Sequence, residues 1–221
     1  MHIAPDVSLA ELATTVPGAA RVLERHRLDF CCRGERTLAD ACADRALPAD
    51  ALVDELRAAV PSDDDLAPWA DAPLDVVIDH ILARYHAPLR DELPRLVALA
   101  QKVERRHAGK PDCPRGVAAH LATMADAIEE HLQKEERILF PMIAVGRGPA
   151  AGMPIRVMQD EHLDHAANLD RLRTLAHDFV APDAACASWR ALYLGLATLE
   201  SDLHAHIALE NHVLFPRALR G

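Results

Sequence analysis

The chain carries one pattern twice. His131-x-x-x-Glu135-x-x-x-Leu139-Phe140-Pro141 recurs as His206-x-x-x-Glu210-x-x-x-Leu214-Phe215-Pro216, 75 residues further on. The upstream histidines His86 and His162 stand 76 residues apart, so each copy supplies one histidine and then a His-x-x-x-Glu pair. Self-similarity of this kind marks a duplicated supersecondary unit, here a helical hairpin. Residues four apart share one face of an α-helix, about 6 Å apart along its axis. Two such hairpins turn four imidazoles and two carboxylates into one core, a donor set that suits paired iron or manganese in a bundle and that zinc also tolerates.

A single His-x-x-x-Glu is ordinarily a solvated ion pair on a helix surface. Its duplication with matched Leu-Phe-Pro endings is hard to reach by accident, and burying six such groups without a cation is costly. The expected metal ligands are therefore His86, His131, Glu135, His162, His206 and Glu210. Each imidazole binds one ion terminally, while a carboxylate can span two. Two carboxylates leave part of a diferrous charge unbalanced, which an oxide, hydroxide or other anion would offset.

The rest of the chain organises itself around this repeat. Pro61-Ser-Asp-Asp-Asp-Leu-Ala-Pro-Trp-Ala-Asp-Ala-Pro73 resists helix and reads as a linker or hinge. It separates a small unit, residues 1–60, from a larger one, residues 74–221. Four long helical stretches follow it, near 74–107, 114–144, 154–179 and 184–218, with short Gly- and Pro-containing separators. Loops this short join antiparallel neighbours, so the expected fold is all-α, an up-down-up-down four-helix bundle. Pro88 and Pro94 fall inside the first stretch, which must kink there or end and restart. In the small unit Ser8 with Glu11 resembles a capping box, Thr37 is placed to cap a helix, and an amphipathic stretch runs from about Pro48 to Val60. So few large apolar side chains leave this unit marginal alone, and docking or dimerisation is expected.

Composition excludes other classes. A formal charge of −10 argues against unspecific nucleic-acid binding. No apolar stretch is long enough to span a bilayer, and the N-terminus lacks the basic start and apolar run of a signal peptide. Five unevenly spaced cysteines suggest free thiols in a reducing cytoplasm.

Of the remaining histidines, His165 and His80 are candidates to support a ligand from outside the centre. His204 and His212 turn away from the face of His206 and are expected to be exposed, and His2, His26, His107, His120 and His177 to lie on surfaces or loops. Glu130, Glu136 and Glu161 flank ligands in sequence but rotate about 100° away on a helix. They are expected in surface salt bridges, with Glu161 also a candidate proton relay. Cys42, Cys113 and Cys186 are expected to be structural.

Leu28-Asp29-Phe30-Cys31-Cys32-Arg33-Gly34 with Thr37-Leu38-Ala39 resembles the short ScdA-type domain that precedes a di-iron bundle in the RIC (repair of iron centres) family. Arg84-Tyr85-His86, Lys134 to Met142, Glu161-His162 and Leu209 to Pro216 resemble the hemerythrin-like bundle of the same family. The resemblance covers essentially the whole chain. It implies a non-haem di-iron centre with His86, His131, His162 and His206 as terminal ligands and Glu135 and Glu210 as bridges. It implies repair of iron–sulfur clusters damaged by nitrosative or oxidative stress, by iron donation or by binding nitric oxide. Damaged iron–sulfur proteins are the expected partners, nitric oxide or O2 the expected small ligands, and a homodimer is allowed. Reduction of nitric oxide at the diferrous pair, or oxygen or nitric oxide sensing, are the alternatives. Oxygen-carrying hemerythrins have a fifth histidine one turn after the third-helix ligand and end on Asp; here those places hold Ala166 and Glu210. The resemblance also makes the adjacent pair Cys31 and Cys32 a candidate for redox, cluster contact or iron handover.

Overall fold

The computed structural model describes residues 3–62 and 65–221. Among them all regular structure is helical, apart from a single isolated β-bridge between Ser8 and Thr37. Four short helices open it: α1 (Leu9–Thr15), α2 (Ala19–Arg25), α3 (Leu38–Asp44) and α4 (Ala49–Arg57). Ser8 and Thr37 cap as their sequence context predicts, each side-chain oxygen accepting a main-chain N–H at 3.1 Å, from Glu11 and Asp40.

Four longer arms then build the bundle. The first runs from α5 (Leu74–Ile81) through a π-helical turn (Leu82–His86) into α6 (Ala87–His107). The second is α7 (Val117–Lys134), a π-turn (Glu135–Leu139) and α8 (Phe140–Ala144). The third is α9 (Gly152–Leu175), and the fourth is α10 (Ala187–Leu209), a π-turn (Glu210–Leu214) and α11 (Phe215–Arg220). The third arm stops short of the expected residue 179 because His177, Asp178 and Phe179 all take left-handed backbone angles, φ 51°, 57° and 60°.

The first arm neither ends nor restarts before Pro88; it widens. Each π-turn finishes two residues before a proline: His86 before Pro88, Leu139 before Pro141, Leu214 before Pro216. The intervening Ala87, Phe140 and Phe215 reach back five residues to the carbonyls of Leu82, Glu135 and Glu210. Proline lacks an N–H and its ring collides with the carbonyl four residues back, so a wider turn ahead of it lets the helix continue.

Two apolar clusters fill the core. One, at the far end, joins Leu96, Val103, Leu121, Leu172, Trp189 and Leu196. There Gly195 lets α6 approach, since a Cβ would meet Leu96 Cδ2 at 2.6 Å. The other fuses the small unit with the near end of the bundle, bringing Leu9, Leu23, Phe30 and Leu56 together with Ile81, Tyr85, Phe140 and Phe215. The small unit therefore docks on its own bundle. The described part of the Pro- and Asp-rich stretch is packed rather than loose: Asp65 Oδ1 accepts from Gly18 N at 2.9 Å, Leu66 is buried, and Arg217 grips the Trp69 carbonyl at 2.9 Å. Asp63 and Asp64 of that stretch lie outside the described residues. Among the described residues no helix is long and apolar enough to cross a membrane.

Candidate metal centre

Each arm delivers one histidine to the layer between the two apolar clusters. His86 closes the first π-turn, His131 lies in the last turn of α7, His162 is mid-helix in α9, and His206 lies near the end of α10. Glu135 and Glu210 open the second and fourth π-turns. All six side chains are buried, and both carboxylates are fully so.

They form two quartets. His86, His206, Glu135 and Glu210 have donor atoms all within 4.8 Å of one another, and so do His131, His162, Glu135 and Glu210. Each carboxylate contributes one oxygen to each quartet. Glu135 Oε2 is 3.4 Å from His86 Nε2, and its Oε1 is 3.5 Å from His131 Nε2. Glu210 Oε1 is 3.1 Å from His206 Nε2, and its Oε2 is 3.1 Å from His162 Nε2.

Protein groups alone leave this layer poorly satisfied. Both oxygens of Glu135, Oε2 of Glu210 and Nε2 of His162 are buried with no hydrogen-bond partner among the described residues. His86 Nε2 faces His206 Nε2 at 3.2 Å. Buried carboxylates without donors and imidazole nitrogens aimed at one another are arranged for cations. The electrostatics agree. Burial, then the neighbouring His206, pulls His86 down to about 4, and burial with His162 pulls His131 down to about 2. Both rings are therefore neutral and ready to ligate. Burial and the charge of Glu210 push the Glu135 carboxyl well above its ordinary value. Burial acts the same way on Glu210, but His206 and His162 outweigh it and hold Glu210 well below.

The outward nitrogens are also engaged. His86 Nδ1 meets Glu136 Oε1 at 2.9 Å, and Arg90 bonds the same oxygen at 2.8 Å. His131 Nδ1 meets Glu161 Oε2 at 2.9 Å, and Lys134 pairs with the other Glu161 oxygen. His162 Nδ1 meets Asn211 Oδ1 at 3.0 Å. These partners accept, so Nδ1 carries the proton and Nε2 presents its lone pair inward. His206 is the exception: its Nδ1 is buried without a partner among the described residues, and Tyr85 stacks on its ring at 5.2 Å.

Glu136 and Glu161 are thus not mere surface salt-bridge residues; each holds a histidine on a neighbouring arm. Among the described residues His165 makes no hydrogen bond to a quartet histidine. Its buried ring stands edge-on to His131 at 5.0 Å, and it belongs to neither quartet. His80 packs between Trp69 and Tyr85, one ring removed from His206. His212 is not exposed: its Nε2 donates to the Phe30 carbonyl at 2.6 Å, against the small unit. His107 and His120 are buried as well, the latter donating to Asn168 O at 2.9 Å. Asn211 was not singled out by sequence, although it occupies the position in the second repeat that Glu136 occupies in the first.

The cysteine loop sits directly above His162. Asn211 Nδ2 donates to the Cys31 carbonyl at 3.0 Å, and Cys32 Sγ is 3.5 Å from the His162 carbonyl oxygen. Cys31 and Cys32 are free thiols 3.6 Å apart, with Asp29 accepting from Cys31 Sγ at 3.4 Å and from Cys32 N at 2.9 Å. The hydrogen bond with Cys32, then burial, pushes the Cys31 thiol well up.

Comparison with known proteins places this geometry. Residues 77–218 match the hemerythrin HHE cation binding domain, and residues 5–60 match a domain of unknown function, DUF542. The iron–sulfur cluster repair protein YtfE of Pectobacterium carotovorum is 44% identical over 98% of both chains. YtfE of Dickeya chrysanthemi is 46% identical over 98% of both, and YtfE of Yersinia pestis 45% over 97% of both. This chain belongs to the YtfE family. The hemerythrin domain binds non-haem iron, and the two quartets give this member places for two ions.

Proposed function

We propose that this chain repairs iron–sulfur clusters damaged by nitrosative or oxidative stress, using a di-iron centre in its bundle. His86, His131, His162 and His206 would serve as terminal ligands and Glu135 and Glu210 as bridges. The observation that carries this reading is the split of each buried carboxylate between the two quartets, in a chain 44–46% identical to proteins named for cluster repair.

Bound there, iron would supply exchangeable, redox-active metal with affinity for a diatomic ligand such as nitric oxide or O2. The chain's own part is positional. Glu136, Glu161 and Asn211 fix three imidazoles, and the apolar clusters on either side keep bulk water out. Burial and the charge of Glu210 raise the Glu135 carboxyl, so metal loading, which needs the carboxylate, works against that shift. Ala166 in place of a fifth imidazole favours exchange or small-molecule chemistry over oxygen storage. The free thiols Cys31 and Cys32, over the His162 main chain, support a redox or iron-handover role toward damaged iron–sulfur proteins. The boundaries 1–60, 61–73 and 74–221 are the working division of these roles.

The test is recovery of a nitric-oxide-damaged cluster enzyme. Iron-loaded protein should restore activity faster than the same amount of free ferrous iron; equal rates would end the repair reading. Two quartets sharing both carboxylates also favour a second reading, reduction of nitric oxide to nitrous oxide at the paired sites. Single-turnover gas measurement separates the two, since delivery alone gives loss of iron without nitrous oxide.

A further inference from the structure

A second chemical group lies at the opposite end of the bundle. α6 carries His107 at its last position, about 30 Å along the helix from His86. His107 is only 8% exposed, yet its Nε2 is 3.2 Å from the Sγ of Cys186, which is exposed. Trp189 holds the His107 ring from the side, centroids 4.9 Å apart. A buried imidazole aimed at the sulfur of an exposed cysteine is unlike ordinary cysteine packing.

The backbone adds to the pairing. Cys186 is the N-cap of α10, a 23-residue helix, with its carbonyl accepting from Trp189 N at 3.0 Å and Arg190 N at 3.1 Å. Its side chain makes no capping bond, so the sulfur stays available beside the positive end of the helix dipole. Lys110 and Arg190 rim the same turn, bonded to the carbonyls of Ala184 at 3.1 Å and Asp183 at 2.8 Å. A helix N-terminus, a neighbouring imidazole and solvent access together are the setting of reactive thiols. The other cysteines lack it. Cys42 and Cys113 are buried with their thiols pushed up by burial, Cys31 is buried, and Cys32 is half-covered beneath the bundle.

We infer that Cys186 and His107 form a reactive thiol–imidazole pair that undergoes exchange with low-molecular-weight disulfides. The Cys186 proton passes to His107 Nε2 as the sulfur attacks one sulfur of the disulfide RS–SR. The S–S bond of the reagent breaks and a Cys186–S–S–R bond forms. The departing RS⁻ takes up the proton and leaves as RSH. Cys186 sulfur is oxidised, the departing sulfur is reduced, and no other oxidant enters. The step needs nothing from the metal centre, so it holds whether or not cluster repair does.

Glutathione disulfide and the iron-loaded full-length protein provide the test. Peptide mapping should find the mixed disulfide at Cys186 first, at least about tenfold faster than at Cys42 or Cys113. Cys186→Ser should remove this adduct. His107→Phe, which keeps a ring against Trp189, should slow it about tenfold at neutral pH with iron content unchanged. First modification at any other cysteine would overturn the proposal, as would an undiminished rate in a folded His107→Phe protein. If that variant fails to fold, the mapping on the unaltered chain decides alone.

Discussion

Glu136 and Asn211 occupy equivalent positions of the duplicated hairpin and perform the same task. Each follows a proposed bridging glutamate, and each accepts from the Nδ1 of its own hairpin's first histidine, His86 at 2.9 Å and His162 at 3.0 Å. The equivalence breaks one step earlier in each copy. Glu161, preceding His162, accepts from His131, whereas its counterpart Tyr85, preceding His86, stacks on His206 instead. The duplicated fold is thus nearly two-fold in its inner donors and asymmetric in what surrounds them. Removing an outer partner from a metal-binding histidine weakens metal affinity by about 10–100-fold. Glu136→Leu and Asn211→Leu should both lower iron retention in that range, measured as iron remaining against a competing chelator. Asn211→Asp keeps an acceptor for His162 and loses the donor to Cys31. It should retain iron while speeding amide exchange in residues 30–32. Full iron retention by both Leu variants would remove this account.

Replacing a proposed bridging carboxylate should change stability with opposite sign in the two metal states. Glu135 is fully buried and neither oxygen has a donor among the described residues. In metal-free protein, Glu135→Leu exchanges a desolvated carboxyl without a donor for an apolar group, which should leave stability unchanged or raise it. With iron, the same variant should lose metal and the stabilisation that binding confers. Urea unfolding with and without iron checks both signs. A metal-free variant clearly less stable than its parent would mean Glu135 is already well satisfied by protein.

The repeat and its separators made the bundle, its helix order and the layer of six polar side chains legible before any coordinates. The outer partners were not. A helical wheel correctly turns Glu136 and Glu161 away from the ligand beside them, but it does not say whose ring lies in that direction; both meet a histidine on another arm. The π-turns were hidden for a related reason. Pro88, Pro141 and Pro216 announce a disturbed helix, and only the main-chain bonding shows that it widens instead of breaking. The placement of His212 and His107 is hidden from sequence because their cover comes from distant segments, the loop at Phe30 and the helix starting after Cys186.

The metal-free protein should lose stability as pH falls below about 6.5. Burial and neighbouring rings hold His86 and His165 at about 4 and His131 at about 2, against 6.5 for the ordinary imidazole. Between those values the unfolded chain binds protons that the folded chain refuses, so acid favours unfolding. The depressed Glu210 adds to the loss below its ordinary value of 4.5. Glu135, pushed up, acts in the reverse sense: its contribution is present at low pH and is lost as pH rises through its folded value. The net fall from pH 6.5 to 4 should be on the order of a few kcal/mol. Urea midpoints across that range measure it, and a flat profile would show that these rings take up protons in the folded state.

Gly34 decides how closely the cysteine loop covers the bundle. A Cβ there would lie 2.7 Å from His212 Cε1, 2.7 Å from the Phe30 carbonyl oxygen and 2.8 Å from the Ala10 Cβ. Two of those contacts involve the hydrogen bond by which His212 holds Phe30, so any side chain there has to push the loop outward. That movement would stretch the Asn211 bond to Cys31 and lift Cys32 from the His162 carbonyl, while the six inner side chains stay on their own helices. Gly34→Val should therefore raise the alkylation rate of Cys31 and Cys32 by about tenfold or more through added exposure. Iron content should be little changed. Peptide-resolved alkylation in the iron-loaded protein is the measurement. Unchanged protection of both thiols would mean that their cover does not depend on the close approach at Gly34.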